Sequence, residues 1–224
     1  MSRVLLPTEL LRHVRRARRP APASPLTESN RRPLPYHGSA LPSELRGQGP
    51  RRIAQHLTFP AVLRTRLVER RDADALSAIY NAEVLETTVT FDLVARTLAE
   101  QVAWIDEHAG SHPAIVAVDD DDRVAGFASV SPYRSRPAYA PTVEDSVYVR
   151  RDLRGAGVGK LLLGDLVTAT REHGFHSMIG RIVGGHDASI ALHAACGFEQ
   201  VGVEREVGRK FGRWLDVVLM QKML

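Results

Sequence analysis

The residues Arg154-Gly155-Ala156-Gly157-Val158-Gly159-Lys160 form a glycine-rich turn. It lies between the alternating run that ends in Val147-Tyr148-Val149 and an apolar stretch of helical spacing that begins at Leu161-Leu162-Leu163. A strand, a glycine turn and a helix N-terminus together make an anion site. Glycines let the backbone approach closely, and the unbonded N–H groups of the first helical turn point at whatever phosphate rests there. Two common phosphate patterns do not fit. The Walker pattern needs Gly-Lys followed by Ser or Thr, and Lys160 is followed by Leu161. The dinucleotide fingerprint usually opens the first strand–helix unit, whereas well over half of this chain precedes the turn.

Other groups could do chemistry beside that turn. Glu144 lies a few residues upstream, in Thr142-Val143-Glu144-Asp145-Ser146. On spacing alone it reads equally as a strand carboxylate facing solvent or as a general base, and strand alternation sends Asp145 to the opposite face. His193, one of nine histidines, falls in a short helical stretch. Such a residue is usually structural, but an imidazole titrates near neutrality and could deliver or relay a proton. The loop Ser131–Tyr139 carries Arg134 and Arg136 with Tyr133 and Tyr139. Guanidinium groups grip carboxylates and phosphinates bidentately; a solvated basic loop is the plainer alternative. The run Asp119–Asp122 lacks the spacing of a calcium loop and reads as a solvated turn, so no metal is expected. Cys196 is the single cysteine, which excludes an internal disulfide and suits a reducing compartment.

Arg154-x-x-Gly157-x-Gly159 resembles the pyrophosphate motif of the GCN5-related N-acetyltransferase (GNAT) superfamily. Further stretches in matching order are similar to its phosphinothricin and methionine sulfoximine N-acetyltransferase branch. These are Thr142–Val149, Ala188–His193 with Gly197-Phe198, Ser131–Tyr139 and Val207–Asp216, within a similarity running from about Leu63 to Leu224. The resemblance implies an α+β acyl-CoA N-acyltransferase fold, with a mixed central sheet of about seven strands flanked by about four helices. It implies acetyl-CoA as co-substrate and direct transfer to the α-amino group of phosphinothricin, methionine sulfoximine or a methionine sulfone-like compound, a detoxifying reaction. Glu144 would be the general base. His193 would protonate the departing thiolate, at a place where the wider superfamily often has Tyr. Cofactor binding would fall to Val147, Tyr148, Val149, Arg154, Gly155, Ala156, Gly157, Val158, Gly159, Lys160, His186 and Ser189, and acceptor binding to Thr90, Phe91, Arg134, Arg136, Tyr139 and Lys210. A cytoplasmic homodimer with no membrane or nucleic-acid partner is implied as well. The family usually has Asn where His186 stands; a neutral His can also both donate and accept, with a different reach.

Two other readings compete. A protein or peptide N-terminal acetyltransferase would want a wide acidic groove instead of an arginine loop. A CoA-binding regulatory module with a nucleic-acid-binding arm would not need both Glu144 and His193.

The elements that must position these residues follow from periodicity and punctuation. A strand is expected from Val62 to Glu69. Asp72 then caps a helix through about Asn81, and Glu83–Phe91, rich in β-branched residues, is extended or loop-like instead of helical. Thr97-Leu98-Ala99-Glu100 is a capping box for a helix to about Ala109. Strands at Pro113–Val118, Arg123–Val130 and Thr142–Val149 precede a helix from Val158 to His173. A strand at His176–Val183, a helix at Ala188–Ala195 and strands at Phe198–Glu204 and Trp214–Met220 complete the order β-α-α-β-β-β-α-β-α-β-β.

The first sixty residues differ from the rest. They hold nine of thirteen prolines, and eleven arginines against three acidic residues give them a net +8. The remainder therefore carries −4 in a chain whose total is +4. Such a segment cannot bury enough apolar surface to offset its ordering entropy, so a disordered extension (1–60) ahead of a domain (61–224) is expected. Thr8–Arg19 could form a short basic helix. The segment reads as a dispensable tail, even an over-extended start with initiation near Val62. An RNA- or lipid-touching arm and a transit peptide are the alternatives.

Overall fold

The computed structural model describes residues 63–224; the expectations for residues 1–60, including the Thr8–Arg19 helix, lie outside them. The elements follow the expected order. They are β1 (Arg64–Leu67), α1 (Ala73–Glu86), α2 (Leu98–Glu107), β2 (Ala114–Val118), β3 (Val124–Pro132), β4 (Thr142–Val149), α3 (Val158–Glu172), β5 (Ser177–Val183), α4 (Asp187–Ala195), β6 (Glu199–Lys210) and β7 (Arg213–Met223). The seven strands make one mixed sheet in the order β1-β2-β3-β4-β5-β7-β6. Only β4 and β5 pair in parallel; each of the other pairs is antiparallel.

Helices cover both faces, which is why β2 reads Ala-Ile-Val-Ala-Val and is buried throughout. On one face α3 presents Val158, Leu162, Leu163, Leu166 and Val167 to a core that includes Val143, Met178, Ile182 and Phe198. On the other, Leu76, Ile79, Tyr80 and Val84 of α1 and Ile105 of α2 meet Val116, Val118 and Phe127. Gly126 lets α3 approach, since a Cβ there would come 3.1 Å from Leu162 Cδ1 and 2.7 Å from the Tyr148 carbonyl oxygen.

Three local expectations are corrected. Helix α1 does not end near Asn81 but runs to Glu86, because Val84 is a core residue and Glu83 turns inward onto two arginines. Asp72 does not cap α1 with its side chain. Its carboxylate accepts from the Glu69 N–H at 2.8 Å and from Arg66 at 2.7 Å, bracing the turn before the helix. The last two strands are both present but longer than expected, running to Lys210 and from Arg213 to Met223 as a hairpin with register shifts at Gln200/Gly202 and Glu204/Gly208. The Thr97–Glu100 capping box is present as read. In the acidic turn, Asp119 is buried against Arg123, and Asp122 pairs with Arg64, Arg66 and Arg71. Among the described residues no helix is long and apolar enough to cross a membrane.

Candidate active site

The site begins where two strands part. β4 and β5 pair through Thr142↔Ser177, Val143↔Met178, Glu144↔Ile179 and Asp145↔Gly180, and the pairing stops there. Beyond it Ser146–Val149 stays with β3 and Arg181–Val183 stays with β7. A V-shaped gap opens in the sheet, leaving the strand edges that face it without a strand partner. The resulting cleft, about 380 Å³, is closed at its far end by the glycine turn and on one side by α4.

Gly155 and Gly157 adopt left-handed backbone, φ 80° and 86°, and Gly157 is the N-cap of α3. A side chain at either position would be strained. The first bond into the helix runs from Leu161 N–H to the Gly157 carbonyl at 3.1 Å, so the preceding N–H groups start without intrahelical acceptors. Together with the helix dipole they form an anion cradle that opens onto the cleft. Of the residues expected to bind a cofactor, Val147, Tyr148, Val149, Arg154, Gly155, Gly157, Gly159, Lys160, His186 and Ser189 line the cleft. Ala156 does not, and Val158 is a core residue. The Tyr148 ring faces away, edge-on to Tyr80 at 5.0 Å and stacked with Phe127 at 5.2 Å. Arg154 is bound: it donates to Glu83 Oε1 at 2.7 Å and to the Val149 carbonyl at 3.4 Å, bracing the turn on α1. His186 is the N-cap residue of α4, and its ring makes no hydrogen bond among the described residues. Burial and then the Arg154 charge hold its pKa below the ordinary histidine value.

The two expected catalytic residues occupy opposite faces of the sheet. Asp145 and His193 lie on the α3–α4 face. His193 is 5% exposed at its side chain and Asp145 is 1%, with Nε2 and Oδ2 3.0 Å apart. The other ring nitrogen, Nδ1, lies 2.7 Å from the Ser189 carbonyl oxygen, which can only accept. Both nitrogens therefore face acceptors, an arrangement that favours the protonated ring. Burial works against the charge, but the Asp145 and Ser189 contacts outweigh it and the pKa is raised. Gly180 makes room for the ring: a Cβ there would stand 2.8 Å from His193 Cδ2. Asp145 Oδ1 is buried without a hydrogen-bond partner beside the cleft.

Glu144 points the other way, half-buried on the α1–α2 face. Burial pushes its carboxyl above the usual range, opposed chiefly by Arg181 and assisted by Asp145 and Glu204. Arg181, on β5, lines the cleft and donates to Glu204 Oε2 at 2.5 Å.

The expected acceptor residues divide. Arg134 stacks on Tyr133 and Tyr139, 4.9 and 5.8 Å from their ring centres, and its charge reaches Glu144; Arg136 is exposed. Lys210 is not a free ammonium. It is 3% exposed and donates to the Thr90 carbonyl at 2.8 Å, and burial lowers its pKa. The Phe91 ring lies on the bare backbone of Gly208, where an added Cβ would come 2.2 Å from Cε2. Lys210, Thr90 and Phe91 thus lock the β6–β7 hairpin to the segment after α1. The thiol of Cys196 is raised by burial, which outweighs Lys160 and Lys222 and leaves it a poor nucleophile.

Sequence reading missed Glu83, Gly180, Arg181 and the pairing of Asp145. Two signals were available. Gly180 interrupts a β-branched strand, which marks a close approach. Asp145 stands between Val143 and Val147 on a core-facing register.

A sheet opened between parallel β4 and β5, with an anion cradle at the far end of the gap, defines an acyltransferase of the GNAT type. The chain belongs to that family: the acetyltransferase (GNAT) domain matches residues 65–219. It is 43% identical over 151 residues to an L-methionine sulfoximine/L-methionine sulfone acetyltransferase of Pseudomonas aeruginosa, covering 67% of this chain and 88% of that protein. A phosphinothricin N-acetyltransferase of Streptomyces coelicolor is 40% identical over 156 residues, 68% of this chain and 91% of that one. Among solved structures, a GNAT superfamily phosphinothricin acetyltransferase from Sinorhizobium meliloti in complex with AcCoA superposes with a TM-score of 0.70. It is 39% identical and covers 72% of this chain and 88% of that chain.

Proposed function

We infer that residues 61–224 form an acetyl-CoA-dependent N-acetyltransferase for the α-amino group of a small amino-acid analogue, of the phosphinothricin or methionine sulfoximine type. One observation carries this reading: the parting of β4 and β5 at Asp145↔Gly180, which ends at the glycine cradle and has Glu144 on one face and the Asp145–His193 pair on the other. The names of the relatives support the substrate class.

The cleft fits the cofactor. The N–H groups around Gly157 and Gly159 would take its pyrophosphate with Lys160 beside them, and the free strand edges at Val147–Val149 and Ile182–Val183 would meet the pantetheine amides. His186, a neutral ring at the mouth of α4, can donate or accept there. When bound, acetyl-CoA supplies an acetyl group activated as a thioester.

Glu144 accepts the proton of the acceptor's ammonium group. Its raised pKa brings its basicity nearer to neutrality, where a general base is most effective. His193, its Nε2 held on Asp145 Oδ2 beside the cleft, relays a proton through that pair to the departing sulfur. The acceptor nitrogen loses two protons. The first goes to Glu144 before attack; the second leaves the tetrahedral adduct and replaces the one that His193 gives to sulfur, so one proton is released overall. The transfer is direct, since the only thiol, Cys196, is a poor nucleophile. On the acceptor side Arg134, resting on Tyr139, brings its charge to Glu144, and Lys210 keeps Thr90 in place.

A homodimer is part of this reading. The edge strand β6 leaves Val201, Val203 and Val207 exposed, with Phe211 and Trp214 near its turn. An apolar sheet edge of that kind is normally covered. Equilibrium sedimentation should give twice the chain mass.

The deciding experiment incubates the purified protein with acetyl-CoA and a panel of amino-acid analogues, following CoA release and the mass of the products. Acetylated phosphinothricin, methionine sulfoximine or methionine sulfone is expected. Acetylation of peptide N-termini alone would overturn the substrate class.

A further inference from the structure

Arg181 has no role in the mechanism above, yet it lines the cleft and its charge acts on Glu144. Glu144 is in register with Ile179 on the adjacent parallel strand, so Arg181 lies two residues further along β5 on the same face, a diagonal neighbour of Glu144. It is the first residue after the strands part. Its side chain therefore lines the cleft from β5 while its charge acts on Glu144 more strongly than any other.

The guanidinium makes one hydrogen bond among the described residues, from Nη2 to Glu204 Oε2 at 2.5 Å. Glu204 reaches it across β7, where Val217 is the register partner of both Val183 and Glu204. Neither side chain is fully buried, at 36% and 28% exposure. An arginine has five N–H donors, so this contact leaves most of them free on a side chain that lines the cleft. Arg134 differs. It rises from a loop, rests on Tyr133 and Tyr139 and does not line the cleft.

An α-amino acid carries its ammonium and carboxylate on adjacent atoms. Glu144 and Arg181 present the complementary pair, a carboxylate and a guanidinium, as neighbours on one face. Around them Glu144 and Glu204 are matched by Arg134 and Arg181, while Asp145 is paired with His193 on the other face. A zwitterion bridging Glu144 and Arg181 keeps that balance, whereas a simple alkylamine adds an unmatched cation and leaves the arginine fork empty. We propose that Arg181 is the specificity residue for the acceptor, taking its α-carboxylate while Glu144 takes the amine, with Glu204 holding the guanidinium in place. This rests on the acetyltransferase reading and names the feature by which the acceptor is recognised.

The test compares L-methionine sulfone with 3-(methylsulfonyl)propan-1-amine, the same molecule without its carboxylate. Arg181→Ala should lower kcat/KM for the amino acid about 10- to 100-fold, the size of one or two charge-assisted hydrogen bonds. The amine should lose less, only what the missing charge beside Glu144 costs the base. Arg181→Lys should fall between, since charge remains but the planar fork is lost. The KM for acetyl-CoA and the melting temperature should stay parental. Equal losses on both acceptors, or no loss on either, would overturn the assignment while leaving the acetyltransferase reading intact. A readout independent of turnover is the calorimetric titration of L-methionine sulfone into the CoA-saturated protein. Weaker binding to the Arg181→Ala variant than to the parent supports the proposal even where the parent transfers no acetyl group, an outcome that would count only against the reading beneath it. Equal binding to both proteins overturns the proposal.

Discussion

His193 Nε2 stands 3.0 Å from Asp145 Oδ2, and the opposite ring nitrogen stands 2.7 Å from the Ser189 carbonyl, so the imidazole is fixed by acceptors at both ends. The pair lies at the last register of β4 and β5 before the sheet opens. The arrangement favours a protonated ring inside the protein, beside the cleft. Its stability is conditional on the carboxylate, because a buried charge without a partner is costly.

Asp145→Asn should therefore destabilise the fold by about 3–5 kcal/mol near pH 6. The folded pKa of His193 is raised above its unfolded value of about 6.5. Its contribution is fully present below that unfolded value and is lost as pH rises through the folded one. The gap between parent and variant should shrink at alkaline pH. Denaturant midpoints at pH 5.5, 7.5 and 9.5 test this, and a gap independent of pH would remove the charged pair.

Gly180→Ala places a methyl group 2.8 Å from His193 Cδ2 and 3.0 Å from Nε2. The ring must move, at a cost of about 1–3 kcal/mol for an overpacked site. A reduced kcat is expected with little change in the KM for acetyl-CoA, because the glycine cradle is untouched. An unaltered kcat would show that the position of the imidazole is irrelevant to the reaction.

Glu144→Gln keeps size and hydrogen bonding but cannot accept a proton. It should lower kcat by about 10²–10⁴-fold at neutral pH, with part of the deficit recovered at alkaline pH as solvent deprotonates the amine. The stability effect should run the other way. Burial raises the folded pKa of Glu144 above its unfolded value, so the charged group costs stability at neutral pH and its loss should leave the melting temperature equal or higher. Parental rates across a pH profile would exclude Glu144 as the base.

Gly157→Val tests the anion cradle. The position is open, with no heavy atom within 4 Å of where a Cβ would stand, so the penalty comes from its left-handed backbone at φ 86°. A β-branched residue there is a true outlier, and the first turn of α3 should be displaced. The KM for acetyl-CoA should rise at least tenfold and that for the amine little. Equal rises would place the pyrophosphate elsewhere.

The order of elements, the strand Thr142–Val149, the glycine turn and the Thr97 capping box were all legible in the residues, because each depends on neighbours a few positions apart. Alternation also sent Glu144 and Asp145 to opposite faces, which the core clusters around Val143 and Tyr148 bear out. Local patterning stops at partners distant in sequence. Nothing near Asn81 announces that α1 continues to Glu86, because the reason is Arg151 and Arg154, about seventy residues later, closing on Glu83. Nothing near Lys210 says that its ammonium is bound, because Thr90 is 120 residues away. The Asp145–His193 pair, the clearance at Gly180 and the meeting of Arg181 with Glu204 arise only when β5 lies between β4 and β7 and α4 folds over it. Strand pairing sets those distances, and strand pairing is a property of the folded chain.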